Sequence, residues 1–245
     1  MTTESTTSFT RTRAHAVWEF RLLIRNGEQL LLIFIIPIVL VLALTSVLPG
    51  GMQQALPTVL TVSMIATCFT SLAIATGFER RSGALRFLAT TPITRANLLA
   101  GKAMATGMVS LTSVLVVLLV AGFLGWEPGS SWPFGVPIAL LGCLAFSVWG
   151  LLLAGTFRAE AVLAIANGAF IILALFGGVI IPASTMGPIF GSLVQWLPTA
   201  ALATGLRAAM ESGAVSNLDL VTPIVVLIVW AAAGALLSRR YFRWD

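Results

Sequence analysis

Few side chains in this 245-residue sequence could do covalent chemistry, and their spacing does not favour it. Cys68 and Cys143 both fall inside apolar runs, which reads as two small core residues rather than a disulfide or metal pair. His15 is the single histidine, so a His-based metal site of the usual kind lacks its ligands. The only aspartates are Asp219 and Asp245, which leaves serine-, zinc- or aspartate-type hydrolysis inside a membrane without its reagents. Gly101-Lys102 has the ending of a phosphate-binding loop. That motif also needs Gly five positions before its second Gly and Ser or Thr after the Lys, and here those positions are Ala96 and Ala103. The expectation is no catalytic residue, no metal site and no nucleotide site, so any ATP is hydrolysed by a separate subunit.

The setting explains why reagents are scarce. Apolar residues make up 58% of the chain and charged residues 9%, with a mean hydropathy of +1.00. A soluble domain carries about 25% charge to face water. A soluble enzyme, a nucleic-acid-binding domain and a disordered protein are therefore excluded, and an all-α polytopic membrane protein is expected. Six uncharged runs are long enough to cross a bilayer, at residues 30–48, 56–77, 103–124, 132–157, 161–181 and 220–237. Merging the fourth and fifth would place Arg158 and Glu160 at mid-bilayer, at about 2.5–3.5 kcal/mol each. Six spans is the better count.

The net charge of +5 is distributed by topology, not for a nucleic acid. Arg11, Arg13, Arg21 and Arg25 precede span one. Arg80, Arg81, Arg86, Arg95 and Lys102 separate spans two and three. Arg158 follows span four, and Arg239, Arg240 and Arg243 follow span six. Only Arg207 falls on the opposite side, with Glu127, Glu211 and Asp219. The positive-inside rule then puts both termini in the cytoplasm, in the cytoplasmic (plasma) membrane.

Two segments are not spans. Residues 1–11 read as a disordered tail and 12–29 as an amphipathic interfacial helix. On that helix Val17, Phe20, Leu23 and Ile24 can share a face, and Trp18 and Phe20 lie among arginines. Residues 78–95 are too patterned for a mere connection. Leu85, Leu88 and Ala84 make a short apolar stripe with Arg81 and Arg86 off it. Pro92 disfavours helix at Thr91, and Thr94 can cap the helix that runs into span three. A short cytoplasmic helix set crosswise between two spans is expected there. Further on, Gly177-Gly178 suits close packing or a bend before Pro182. Trp132 and Trp196 would mark the outer interface, Trp18 and Trp244 the inner one.

The run Phe78-Glu79-Arg80, Gly83, Leu85, Leu88, Thr91-Pro92-Ile93, Leu98-Leu99, Gly101-Lys102 resembles the first cytoplasmic loop of type-2 ATP-binding-cassette exporter permeases. The segment 182–219, with Pro182, Pro188, Pro198-Thr199 and Gly205-Leu206-Arg207, resembles that family's Pro-rich re-entrant region before the last span. The likeness runs from about residue 12 to 243. It implies one six-span domain over 30–238, a coupling helix between spans two and three, a re-entrant external segment before span six and a tail at 239–245. It further implies that Glu79, Arg80, Arg81, Gly83, Leu85, Arg86, Leu88, Thr91 and Pro92 couple the chain to a cytoplasmic ATPase subunit that holds ATP and Mg. Glu79 would fix the coupling helix by hydrogen bonds or ion pairs, and Arg80, Arg81 and Arg86 would face the partner or lipid head groups.

Spans two and five would line a cavity shared with a second permease copy or paralogue, through Ser63, Thr67, Thr70, Ser71 and Asn167. Each of these could instead bond a neighbouring helix. The spans carry no charge to bind an ion, which points away from ion coupling and toward a hydrophobic or amphipathic cargo, a lipid or drug-like molecule. The resemblance implies ATP-driven export by alternating access. The alternative from another class is a non-transporting membrane scaffold that recruits a cytoplasmic ATPase.

Overall fold

A computed structural model of the protein describes residues 8–91, 93–211 and 217–242. Pro92, Arg243, Trp244, most of the expected disordered tail and a stretch of the expected external segment lie outside the described residues. The described chain is helical, without a strand: α1 Ser8–Arg25, α2 Gly27–Val47, α3 Gly51–Arg81, α4 Ala84–Ala89, α5 Arg95–Phe123, α6 Gly135–Thr156, α7 Ala159–Phe176, α8 Pro188–Val194, α9 Pro198–Met210 and α10 Asn217–Tyr241. Six of these (α2, α3, α5, α6, α7 and α10) are long and apolar enough to cross a membrane. This is the all-α polytopic membrane architecture that the composition demands.

Helix α6 sits at the centre and packs against α3, α5, α7, α9 and α10. Association inside a bilayer is driven by close packing and interhelical hydrogen bonds rather than by water. Both are present. Ser238 donates to the Val148 carbonyl at 2.8 Å, and Trp149 Nε1 donates to the Trp230 carbonyl at 3.0 Å, which joins α10 to α6. Gly150 lets α6 touch α3, since a Cβ there would stand 2.7 Å from the Phe69 carbonyl oxygen. Phe69 lies within Ile65–Ser71, where α3 opens into a π-helix. Such turns are rare and gather at functional sites.

The helix ends depart from the apolar runs in informative ways. Helix α1 begins at Ser8, inside the stretch expected to be disordered. Helix α5 begins at Arg95, capped by Thr94, whose Oγ1 accepts from the Asn97 amide at 3.2 Å as its sequence suggests. Helix α7 ends at Phe176, although the apolar run continues to 181. Gly178 turns the chain with a φ of +80°. The carbonyls freed by that turn find donors: Thr199 Oγ1 reaches Gly177 at 2.7 Å, and Arg207 reaches Gly178 at 3.2 Å and also Val179. Irregular backbone at membrane depth is tolerated only where it is satisfied in this way. Both donors come from α9, which meets α8 at 89° to form the broken segment before the last span.

Candidate functional site

Helices α2 and α7 are the least buried of the six, with 17% and 22% of their most apolar stretch enclosed against 56% for α6. Together with α3 they flank an open groove of about 760 Å³. Ser63, Thr67, Thr70, Ser71 and Asn167 all line it, so the structure brings the five expected cavity residues together. Apart from Gln29 and Thr58 the remaining wall is apolar, and much of it comes from α2 (Leu32, Ile36, Pro37, Leu40), a helix that the sequence reading did not assign to the cavity. Ser63 donates to the Val59 carbonyl at 2.7 Å and Asn167 to the Leu163 carbonyl at 2.9 Å. Both bonds close on their own helix, so neither side chain is spent tying helices together. Thr70 Oγ1, on the π-helical turn, is buried without a partner.

The groove's mouth leads to the end of the bundle where the basic residues gather. There Arg80 donates to the Phe157 carbonyl and Arg81 pairs with Glu160. Both arginines meet the start of α7 or the turn before it, and Arg81 remains exposed while it does so. The Arg81 pair is well exposed on both sides, and such pairs contribute little to stability. Gly83, at φ +83°, ends α3 and starts α4 in a conformation that L residues rarely adopt. Within α4 the sides are reversed from the expected coupling stripe. Leu85 is fully buried in a cluster with Leu72, Leu98, Leu99, Leu151 and Phe242, and Leu88 packs against it. Arg86 faces out, and Phe87 is 73% exposed. Thr91, past the end of α4, bonds back to the Leu88 carbonyl at 2.6 Å.

A second feature lay beyond the sequence reading, which found no charge in the helical interior. Lys102, in the third turn of α5, is only 2% exposed. Its Nζ lies 2.6 Å from Glu79 Oε2 at the end of α3 and 2.8 Å from Glu19 Oε1 on α1. His15, one turn before Glu19, completes the cluster with Nε2 at 3.3 Å from the same oxygen, out of alignment for a hydrogen bond. Helix α1 therefore turns its polar residues His15 and Glu19 inward and leaves Val17, Trp18 and Ile24 exposed for an apolar surround. Gly101 permits this seat, because a Cβ there would come within 2.5 Å of His15 Cδ2. The only sequence signal was the i, i+4 spacing of His15 and Glu19 together with a lysine two turns inside a long helix.

Burial, reinforced by the Lys102 charge and opposed by Glu79, pushes the His15 imidazole from 6.5 down to about 4. The seated helix thus holds histidine neutral, while a released helix takes up a proton near pH 6.5. Seating is complete above that pH and weakens progressively as pH falls toward 4. Amide protection factors over residues 8–25, corrected for the slower intrinsic exchange at lower pH, should fall between pH 7 and pH 5. His15→Asn should remove most of that change. Equal protection at both pH values in the wild type would contradict this seat.

Comparison with known proteins agrees with this geometry. The family model described as ABC-2 type transporter matches residues 10–210. YvfS of Bacillus subtilis (strain 168), which carries the name of a transport permease, is 23% identical over 239 residues, covering 91% of this chain and 94% of its own. The match spans the inward-turned α1, the short helix α4, the groove and the broken segment alike. The chain belongs to the ABC-2 type transporter family, as a membrane permease.

Proposed function

We propose that this chain is the permease subunit of an ATP-driven exporter in the cytoplasmic membrane, with both termini inside. The cargo is hydrophobic or amphipathic, a lipid or drug-like molecule. It occupies the groove between α2, α3 and α7, which a second permease copy or paralogue closes. The observation that carries this reading is the convergence of all five weakly polar span residues on one open apolar groove flanked by the two least buried spans.

A cytoplasmic ATP-binding-cassette subunit, holding ATP and Mg, docks on the outer face of α4 through Phe87 and Arg86. Its closure on ATP pushes α4, whose Leu85 is locked into the helices around it. Helix α3 moves with α4 because only Ser82 and Gly83 separate them, and Lys102 carries the end of α3 together with α1 and α5. The π-helical turn of α3 lines the groove, so the push reaches the cargo directly. ATP thereby biases a two-state interface, as any ligand does that binds one state better.

Groove filling tests the reading. In everted membrane vesicles given ATP, Thr67→Trp and Asn167→Trp should cut transport of whichever fluorescent lipid or dye probes the wild type moves by more than about tenfold, with the ATPase still bound. Undiminished transport in the filled variants, or no ATP-dependent transport of any probe by the intact complex, would overturn it.

A further inference from the structure

The groove does not end at its inner mouth. Gln29, Ile33, Thr67 and Ser71 line it, and the same four residues line a second, smaller chamber of about 180 Å³ behind it. Gln29 Nε2 donates to Ser71 Oγ at 2.7 Å across that boundary, joining the first turn of α2 to the last residue of the π-helical turn. The chamber's far wall is the buried cluster of Glu19, Glu79 and Lys102. One cavity system therefore has an apolar body and a small charged foot.

The charge of the foot is unbalanced. Two carboxylates face one ammonium, and His15, pushed down to about 4 by burial, adds no positive charge at neutral pH. Arg80 and Arg81, which follow Glu79, are engaged elsewhere, on the Phe157 carbonyl and Glu160, and Arg21, two residues after Glu19, is exposed. The Glu19 side chain is 11% exposed and that of Glu79 32%, and a net negative charge partly withdrawn from water is costly unless a positive group completes it. The chamber also holds a polar group with no partner: Thr76 Oγ1, on a residue with no exposed surface, which lines the cavity and makes no hydrogen bond. Buried hydroxyls are normally satisfied, and an orphan beside an open cavity marks a place for a ligand atom or water. The volume is several times the roughly 30 Å³ share of one water molecule, enough for a small head group and too small for a bulky one.

We propose that the chamber is a head-group subsite for a primary ammonium, and that the cargo class of this permease is a cationic amphiphile. Its chain lies in the groove, and its ammonium passes Gln29 and Ser71 to reach Glu79, Glu19 and the Thr76 hydroxyl. This rests on the groove being the cargo site. An ammonium offers three donors, which suits two carboxylates and an orphan hydroxyl. An anionic head would add to an existing negative charge, and an uncharged head would leave that charge unbalanced.

The test uses the purified full-length permease in nanodiscs, without ATPase, and two probes: a fluorescent twelve-carbon alkylamine and its N-acetylated form, matched in chain but uncharged, with a larger head and one N–H donor in place of three. Charge-assisted hydrogen bonds in a desolvated site should favour the amine by about tenfold or more in Kd. Glu79→Gln should bring that ratio close to one. Thr76→Val, which keeps the shape and removes the hydroxyl, should weaken amine binding several-fold and leave the acetylated probe unchanged. This second variant decides the matter if Glu79→Gln does not fold. Equal affinity for the two probes in the wild type would overturn the proposal, as would a preference that survives both substitutions. Either result can occur while groove-filled variants still lose transport, so failure of the head-group subsite is distinguishable from failure of the transport reading.

Discussion

Lys102→Met should be the most damaging single substitution at the basic end of this protein. Its ammonium is buried and holds Glu79 of α3 and Glu19 of α1 at 2.6 and 2.8 Å. Removing it leaves two carboxylates facing each other without a cation. Breaking a buried ion pair from one side typically costs about 3–5 kcal/mol, because the abandoned charge remains desolvated. The purified permease should lose on the order of 10 °C in thermal midpoint. Protease should cut α1, which loses its anchor on α5. The triple variant Glu19→Gln, Lys102→Met, Glu79→Gln should recover most of that loss, because replacing all the charges at once avoids an orphaned one. Lys102→Met with a melting curve like the wild type would mean that the cluster does not hold α1 and α3 together.

Phe87→Ala should release the ATPase without harming the permease. Phe87 is 73% exposed on a helix that lies outside the spans, where an unpartnered aromatic ring has no structural task. Aromatic anchors at interfaces commonly contribute 2 kcal/mol or more, which corresponds to about a 30-fold loss of affinity. The thermal midpoint of the isolated permease should stay within about 1 °C. Leu85→Ala, two residues away, should do the reverse in the isolated chain. It empties a fully buried site between α4, α5, α6 and Phe242, at about 2–5 kcal/mol, and destabilises the permease itself. Surface plasmon resonance against the purified ATPase and melting curves of the permease alone separate the two effects. Equal affinity for wild type and Phe87→Ala would remove α4's outer face from the docking surface.

The contrast between Leu85 and Phe87 shows what could be read from the chain. The short helix between spans two and three was legible from Leu85 and Leu88 followed by Thr91-Pro92 and Thr94, because stop and cap chemistry is local. Its register was not, since a six-residue helix offers too few positions for periodicity to say which apolar residue faces inward. Leu85 and Leu88 looked like a stripe for a partner and instead pack against the bundle. The six spans were legible because each is a long uncharged run, and span five was overextended because residues 177–181 are apolar yet fold back under Arg207. Counting basic residues by side set the expected topology but hid Lys102 among them. Its burial depends on Glu19 from a helix more than eighty positions earlier, and such a contact leaves no local trace. The polar residues of spans two and five were singled out through family resemblance. The share of α2 in the groove emerged only from the packing.

The central claim is that this permease works with a separate ATPase docked on α4. Affinity purification of the tagged full-length chain from its native membranes in mild detergent, followed by identification and quantitation of what accompanies it, tests that claim most directly. The account predicts stoichiometric recovery of an ATPase with Walker motifs, together with a second permease copy or paralogue, and loss of the ATPase alone from Phe87→Ala. Recovery of the intact permease with no ATPase, in detergent that preserves comparable membrane complexes, would contradict it.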